Sequence, residues 1–120
     1  MESEIPQVER LTAQELARRL EAGDALLLLD VRENVERAHC LIHTSGATQD
    51  LHVPIGEVAD RLAEVRRAAE GLPLVVYCHH GVRSLAVANW LGRQGLRGIA
   101  NLEGGIDAWS NQVDPTVARY

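Results

Sequence analysis

Chemistry concentrates in one segment, Cys78-His79-His80-Gly81-Val82-Arg83-Ser84. The cysteine follows the apolar run Leu74-Val75-Val76-Tyr77, which reads as a buried strand, and a helical pattern runs from about Ser84 to Gln94. A thiol at the carboxyl end of a strand, in a loop feeding a helix, lies where open α/β sheets place their ligands. The unpaired N–H groups and partial positive charge of the helix N-terminus favour thiolate over thiol. Gly81 lets the loop turn back so that its amides face inward as an anion cradle. Arg83 closes the loop with a permanent cation, and Ser84 stands with the supporting residues. An anionic nucleophile and an anionic substrate then share one pocket, and the chemistry is nucleophilic attack by sulfur.

Other candidates surround this loop. His79 and His80 are expected to contact substrate together with Gly81, Val82 and Arg83, although adjacent histidines cannot both point inward. An imidazole is mostly neutral at pH 7, so Arg83 is the fixed cation for an incoming anion. It either faces that anion or turns outward into a salt bridge with a neighbouring carboxylate. Asp30 and Arg32 close the neighbouring apolar run and are expected to pair and order loops. His39, Cys40 and His43 lack a fourth ligand at a recognisable spacing, so no metal is expected.

The elements that position these residues follow from periodicity and punctuation. Thr12-Ala13-Gln14-Glu15 is a capping box, followed by Leu16 and Leu20 at helical spacing and by Gly23 as a stop. Ala25 to Leu29 is apolar without alternation, the mark of a strand buried on both faces of a parallel sheet. Glu33 to Ala38 has room for one or two helical turns. Pro54 opens a helix in which Val58, Leu62, Val65 and Ala69 share a face, and Gly71 and Pro73 end it. Ile99-Ala100-Asn101-Leu102 is a third strand. Glu103-Gly104-Gly105 then makes a tight turn into a helix whose Trp109 packs in the core. Strands alternating with helices predict an α/β fold.

Composition narrows the function classes. The 120 residues are 46% hydrophobic with no Phe, so Leu, Val, Ile and Ala must supply the core of what is expected to be one domain spanning 1–120. Net charge is −5, every basic side chain except histidine is Arg, and no run of Arg makes a basic face, which argues against nucleic acid. Ala25 to Leu29 falls far short of the ~20 apolar residues that span a bilayer, so no membrane partner is expected. The acidic, polar opening MESEIPQVER does not resemble a secretory signal. Two cysteines in a well-apolar chain are not a disulfide framework, and a reducing cytoplasm is the expected compartment.

Three segments together resemble a known family. Cys78-His79-His80-Gly81-Val82-Arg83-Ser84 resembles the active-site loop of rhodanese domains. Leu29-Asp30-Val31-Arg32-Glu33 and Asn101 through Trp109 resemble two further motifs of that family, in the right order. The resemblance implies a small, mostly parallel five-stranded sheet flanked by helices on both faces. It also implies a sulfurtransferase whose cysteine carries a persulfide, with no cofactor. Between Ala38 and Ile55 the chain departs from the family pattern. Ala38-His39-Cys40-Leu41-Ile42 replaces the usual Gly-His-Ile-Pro-Gly-Ala, and extra residues separate Gly46-Ala47 from Val53-Pro54. Residues 113–120 are similar to the tail of rhodanese domains fused to ubiquitin-like-activating enzymes.

The expected reaction moves sulfane sulfur through Cys78. The donor is a small anion such as thiosulfate, or a persulfide-bearing protein, and the acceptor is a thiophile or a sulfur-acceptor protein. Two other functions compete. A non-catalytic recognition module of the same fold is disfavoured by the retained Cys78. Cysteine phosphatases and arsenate reductases are disfavoured by the loop. The phosphatase loop resembles this one but has five residues between Cys and Arg, whereas four separate Cys78 from Arg83. The narrower ring suits one extra sulfur better than a phosphoryl group.

Overall fold

The computed structural model describes residues 8–120. Residues 1–7, most of the acidic opening, lie outside the described residues. In chain order the elements are β1 (Glu9–Leu11), α1 (Ala13–Glu21), β2 (Leu27–Asp30), α2 (Asn34–His39), β3 (Gln49–His52), α3 (Leu62–Ala68), β4 (Leu74–Tyr77), α4 (Val82–Arg93), β5 (Ile99–Leu102) and α5 (Gly105–Gln112). The five strands make one sheet in the order β1-β5-β4-β2-β3, and every neighbouring pair is parallel. β2, β4 and β5 are buried along their whole length, which is why they appear in the sequence as short apolar blocks. β1 and β3 are the edges. Their sequences, ERL and QDLH, are short and polar, the composition that keeps an exposed edge from pairing with other chains.

Alternate residues of the central strands face opposite layers. Leu27, Leu29, Leu74 and Val76 share a core with Val65 of α3 and with Val87 and Leu91 of α4. Leu28, Val75 and Leu102 share the second core with Leu16 of α1 and with Ile106 and Trp109 of α5. The expected capping box opens α1: Thr12 Oγ1 accepts from the Glu15 N–H at 3.1 Å, and the Glu15 carboxylate accepts from the Thr12 N–H at 2.8 Å.

Two boundaries differ from the sequence expectation. The helix expected from Pro54 is broken into a 3₁₀ turn at Ile55–Glu57 and the separate α3. Between them the Leu62 N–H bonds the Ala59 carbonyl, and Arg61 leaves the helical region at φ −106°, ψ 21°. Gly56 weakens helix at the start of this stretch, while Val58 is drawn into the core. Second, α4 begins at Val82, two residues before Ser84, so Arg83 belongs to its first turn. Residues 34–39 form α2, and within the segment 38–55 the pairing of β3 with β2 sets the register Leu27↔Gln49 to Asp30↔His52. Among the described residues no helix is long and apolar enough to cross a membrane.

Candidate active site

β2, β4 and β5 end side by side, and the loops that follow them converge at one edge of the sheet. Cys78 leaves the central strand β4 and is 1% exposed. Gly81, the N-cap of α4, has φ 97°, a left-handed conformation that L side chains rarely adopt. This reversal turns the Gly81 N–H onto the sulfur at 3.1 Å, and the Ser84 N–H from the first turn of α4 joins it at 3.3 Å. The Ser84 hydroxyl lies 3.3 Å from Sγ and 2.5 Å from Asn101 Oδ1. One hydroxyl carries one proton, so Ser84 donates to Asn101 while the thiol is protonated and can turn its proton to the sulfur of a thiolate. Asn101, buried on β5, also donates from Nδ2 to the Gly81 carbonyl at 3.1 Å and so holds the reversed loop in place.

The loop after β5 clamps the cysteine loop. The Ile106 and Asp107 N–H groups bond the Cys78 and His79 carbonyls at 2.9 and 3.0 Å. The backbones approach so closely that a Cβ at Gly105 would sit 2.5 Å from the Cys78 carbonyl oxygen. Free amides at the start of α5 are thereby spent on the cysteine loop.

The remaining candidates take distinct places. Asp30 and Arg32 are fully buried and paired, Nη2 to Oδ2 at 2.8 Å and Nε to Oδ1 at 2.9 Å. The Arg32 guanidinium also donates to the Glu36 and Cys40 carbonyls and to the Tyr120 hydroxyl, tying the β2 loop to α2 and to the chain's last residue. Val82 faces outward at 76% exposed. Arg83 takes the outward option: Nη1 and Nη2 clasp the Glu36 carboxylate at 2.7 and 2.9 Å. That clasp, with the Glu33 N–H adding to it against the cost of burial, holds the Glu36 carboxyl down at about 2. His80 is exposed, and its ring stacks on that of His79 at 3.8 Å. Tyr120 covers the other side of His79, also at 3.8 Å. Burial, and His80 next to it, hold the His79 imidazole below its ordinary value. His79, His80 and Asp107 place ligand-type atoms within 4.8 Å of one another, but both Asp107 oxygens bond Arg119, at 3.0 and 3.2 Å.

Three residues at the site are not named as site residues in the sequence reading: Asn101, Glu36 and Tyr120. Asn101 carried one signal, a polar residue in an otherwise apolar block. Glu36 and Tyr120 carried none, because their partners lie far away in sequence.

Glu36 supplies a test. Glu36→Gln frees Arg83, and the dissociation constant of the site for a small divalent anion is expected to fall about 3–10-fold, the range for a partly exposed charged contact. Stability moves the other way. The carboxyl is depressed in the fold, so its contribution is present above the ordinary value of 4.5 and is lost as the pH falls toward about 2. Denaturant unfolding of the two proteins should therefore differ by on the order of 2–3 kcal/mol at pH 7 and converge below pH 3. A gap that persists at pH 2 contradicts the assignment.

Known proteins bear on this arrangement. The rhodanese-like domain family model matches residues 12–112. The putative sulfurtransferase YtwF of Bacillus subtilis (strain 168) is 29% identical over 109 residues, covering 91% of this chain and 97% of that protein. A sulfurtransferase of Allochromatium vinosum is 31% identical over 111 residues, covering 92% and 96%. The crystal structure of a rhodanese-related protein from Thermoplasma volcanium superposes with a TM-score of 0.73 at 28% identity, covering 93% of this chain and 99% of that one.

Proposed function

The chain belongs to the rhodanese-like domain family, with relatives named as sulfurtransferases, and from this we propose that Cys78 is the nucleophile that carries sulfane sulfur as a persulfide. The observation that supports it most is the sulfur itself: Cys78 Sγ receives two backbone N–H groups at 3.1 and 3.3 Å, at the start of the twelve-residue α4. Donors fixed in this way stabilise a thiolate and, after transfer, the negative sulfur of a persulfide.

With thiosulfate, the Cys78 thiolate attacks the outer sulfur. A Cys78 S–S bond forms, the donor's S–S bond breaks, and its electron pair leaves with sulfite. A second nucleophile, a thiolate or in the test tube cyanide, attacks the outer sulfur of the persulfide. Thiocyanate leaves in the cyanide case, and the Cys78 thiolate returns. A persulfide on a protein donor reacts in the same way, with a thiolate as leaving group. In this reading the cradle residues Gly81 and Ser84 touch the reacting sulfur, while His79, His80, Val82 and Arg83 form the mouth. Asp30 and Arg32 act as scaffold. No cofactor takes part, and the reducing cytoplasm suits a thiolate that must recycle.

Incubation with thiosulfate followed by intact mass measurement tests the proposal: the protein should gain the mass of one sulfur atom, located on Cys78 by peptide mapping. No gain, or a gain on Cys40, contradicts it. Among the described residues no backbone N–H reaches Cys40 Sγ, which lies 3.7 Å from Arg32 Nη1 in a half-buried position. Cys40→Ser is therefore expected to keep thiosulfate–cyanide turnover within about twofold of the parent. A Cys40–Cys78 disulfide in non-reducing mass spectra after thiosulfate treatment would instead make Cys40 a resolving thiol.

A further inference from the structure

Among the described residues, the large apolar side chains left exposed are Val35, Val82, Leu85 and Tyr120, at 76%, 76%, 41% and 41%. They are not scattered. Val82 and Leu85 are three apart on the first turns of α4, hence neighbours on one helix face. Val35 precedes Glu36, whose carboxylate grips Arg83 beside Val82. Tyr120 donates its hydroxyl to the same carboxylate at 2.9 Å and stacks on His79. Val35 and Tyr120 also line a groove of about 400 Å³ with Ala38 and His39. The exposed apolar residues therefore lie on α2, on α4 and at the last residue, which the Arg83–Glu36–Tyr120 hydrogen bonds hold together beside the loop of Cys78, whereas isolated exposed apolar residues would need no explanation.

The charges of this rim point to the kind of molecule it receives. Arg83 is held by Glu36, Arg37 by Asp50 and Arg119 by Asp107. Arginine at the mouth is neutralised within the chain, so the surface around the sulfur complements an uncharged apolar partner better than a small dianion. The sulfur is also almost wholly buried, so a partner must present its reactive atom on a narrow projection.

We propose that the exposed apolar residues Val35 and Tyr120, with Val82 and Leu85 on the adjoining start of α4, dock an extended, uncharged apolar peptide segment bearing the donor persulfide. This rests on the sulfur-transfer reading of Cys78 and names its partner. In the docked complex the Cys78 thiolate attacks the outer sulfur of the peptide's cysteine persulfide. The S–S bond to Cys78 forms, the peptide S–S bond breaks, and the peptide leaves as a thiolate, with no external oxidant or reductant.

Two synthetic peptides of about seven residues test the proposal, each with a central cysteine persulfide, one flanked by leucines and one by serines. The leucine peptide should load Cys78 with a kcat/KM about tenfold higher or more. In the double variant Val35→Gln/Leu85→Gln that preference should shrink to about twofold or less, while thiosulfate–cyanide turnover stays within about twofold of the parent. Both substitutions are uncharged and at exposed positions, and circular dichroism checks the fold. Equal rates for the two peptides with the parent protein, or an undiminished leucine preference in the double variant, overturns the docking surface. Failure of thiosulfate and both peptides to place sulfur on Cys78 overturns the sulfur-transfer reading, and the docking proposal falls with it. Loading by thiosulfate without a peptide preference removes the docking proposal alone.

Discussion

Cys78→Ser is expected to reduce thiocyanate formation from thiosulfate and cyanide to the uncatalysed background, a loss of about a thousandfold or more. A serine hydroxyl in this cradle can accept the Gly81 and Ser84 N–H bonds that now reach the sulfur. It cannot form the sulfur–sulfur bond on which the reaction depends. The fold is expected to survive, because the substitution is nearly isosteric and the new oxygen finds donors already in place. Far-ultraviolet circular dichroism and a denaturant midpoint close to the parent's would show this. Turnover near the parent rate in the folded variant would exclude Cys78 as the sulfur carrier. Partial activity of about a tenth would point to transfer through Cys40 or directly between donor and acceptor.

The second large effect concerns stability. Arg32→Leu is expected to cost about 3–5 kcal/mol, because it leaves the Asp30 carboxylate buried with most of its compensation gone. Asp30 would keep its bond to the Arg32 backbone N–H position and the longer contact from Arg37 Nη1 at 3.3 Å. The variant also removes the donors to the Glu36 and Cys40 carbonyls and to the Tyr120 hydroxyl. Arg32→Lys should restore only part of the loss, since an ammonium cannot reach these partners from one planar group. The double variant Asp30→Asn/Arg32→Leu should be more stable than Arg32→Leu alone, because no buried charge is left unpaired. Urea unfolding at pH 7 provides all three numbers. A cost under about 1 kcal/mol for Arg32→Leu would mean that water reaches Asp30 and that the pair does little to hold the loops.

Much of this protein is local and therefore legible in its sequence. The buried strands β2, β4 and β5 announce themselves as apolar blocks, because a strand covered on both faces has no polar side to alternate with. The capping box of α1 is complete within four residues. Cys78, Gly81 and the start of α4 form one continuous stretch, so the cradle around the sulfur is written in a single heptapeptide. The edge strands β1 and β3 were invisible for the opposite reason. They are three and four residues long and polar, and only the neighbouring strand makes them strands.

What the sequence by itself determined is thus the place of Cys78 at the end of a buried strand, which makes it the proposed nucleophile, and the alternation that makes an α/β sheet. What only the tertiary structure decided is which charges are spent and what surrounds the sulfur. The sequence leaves Arg83 either facing an incoming anion or turned outward to an unnamed carboxylate; in the fold it belongs to Glu36, forty-seven positions away. Asn101 pins a loop twenty positions away, and Tyr120 seals His79 from the far end of the chain. The physical reason is range. Caps, turns and buried runs depend on neighbours within a few residues, whereas a buried polar group must find its partner wherever packing places one, and that partner carries no mark in the sequence around it.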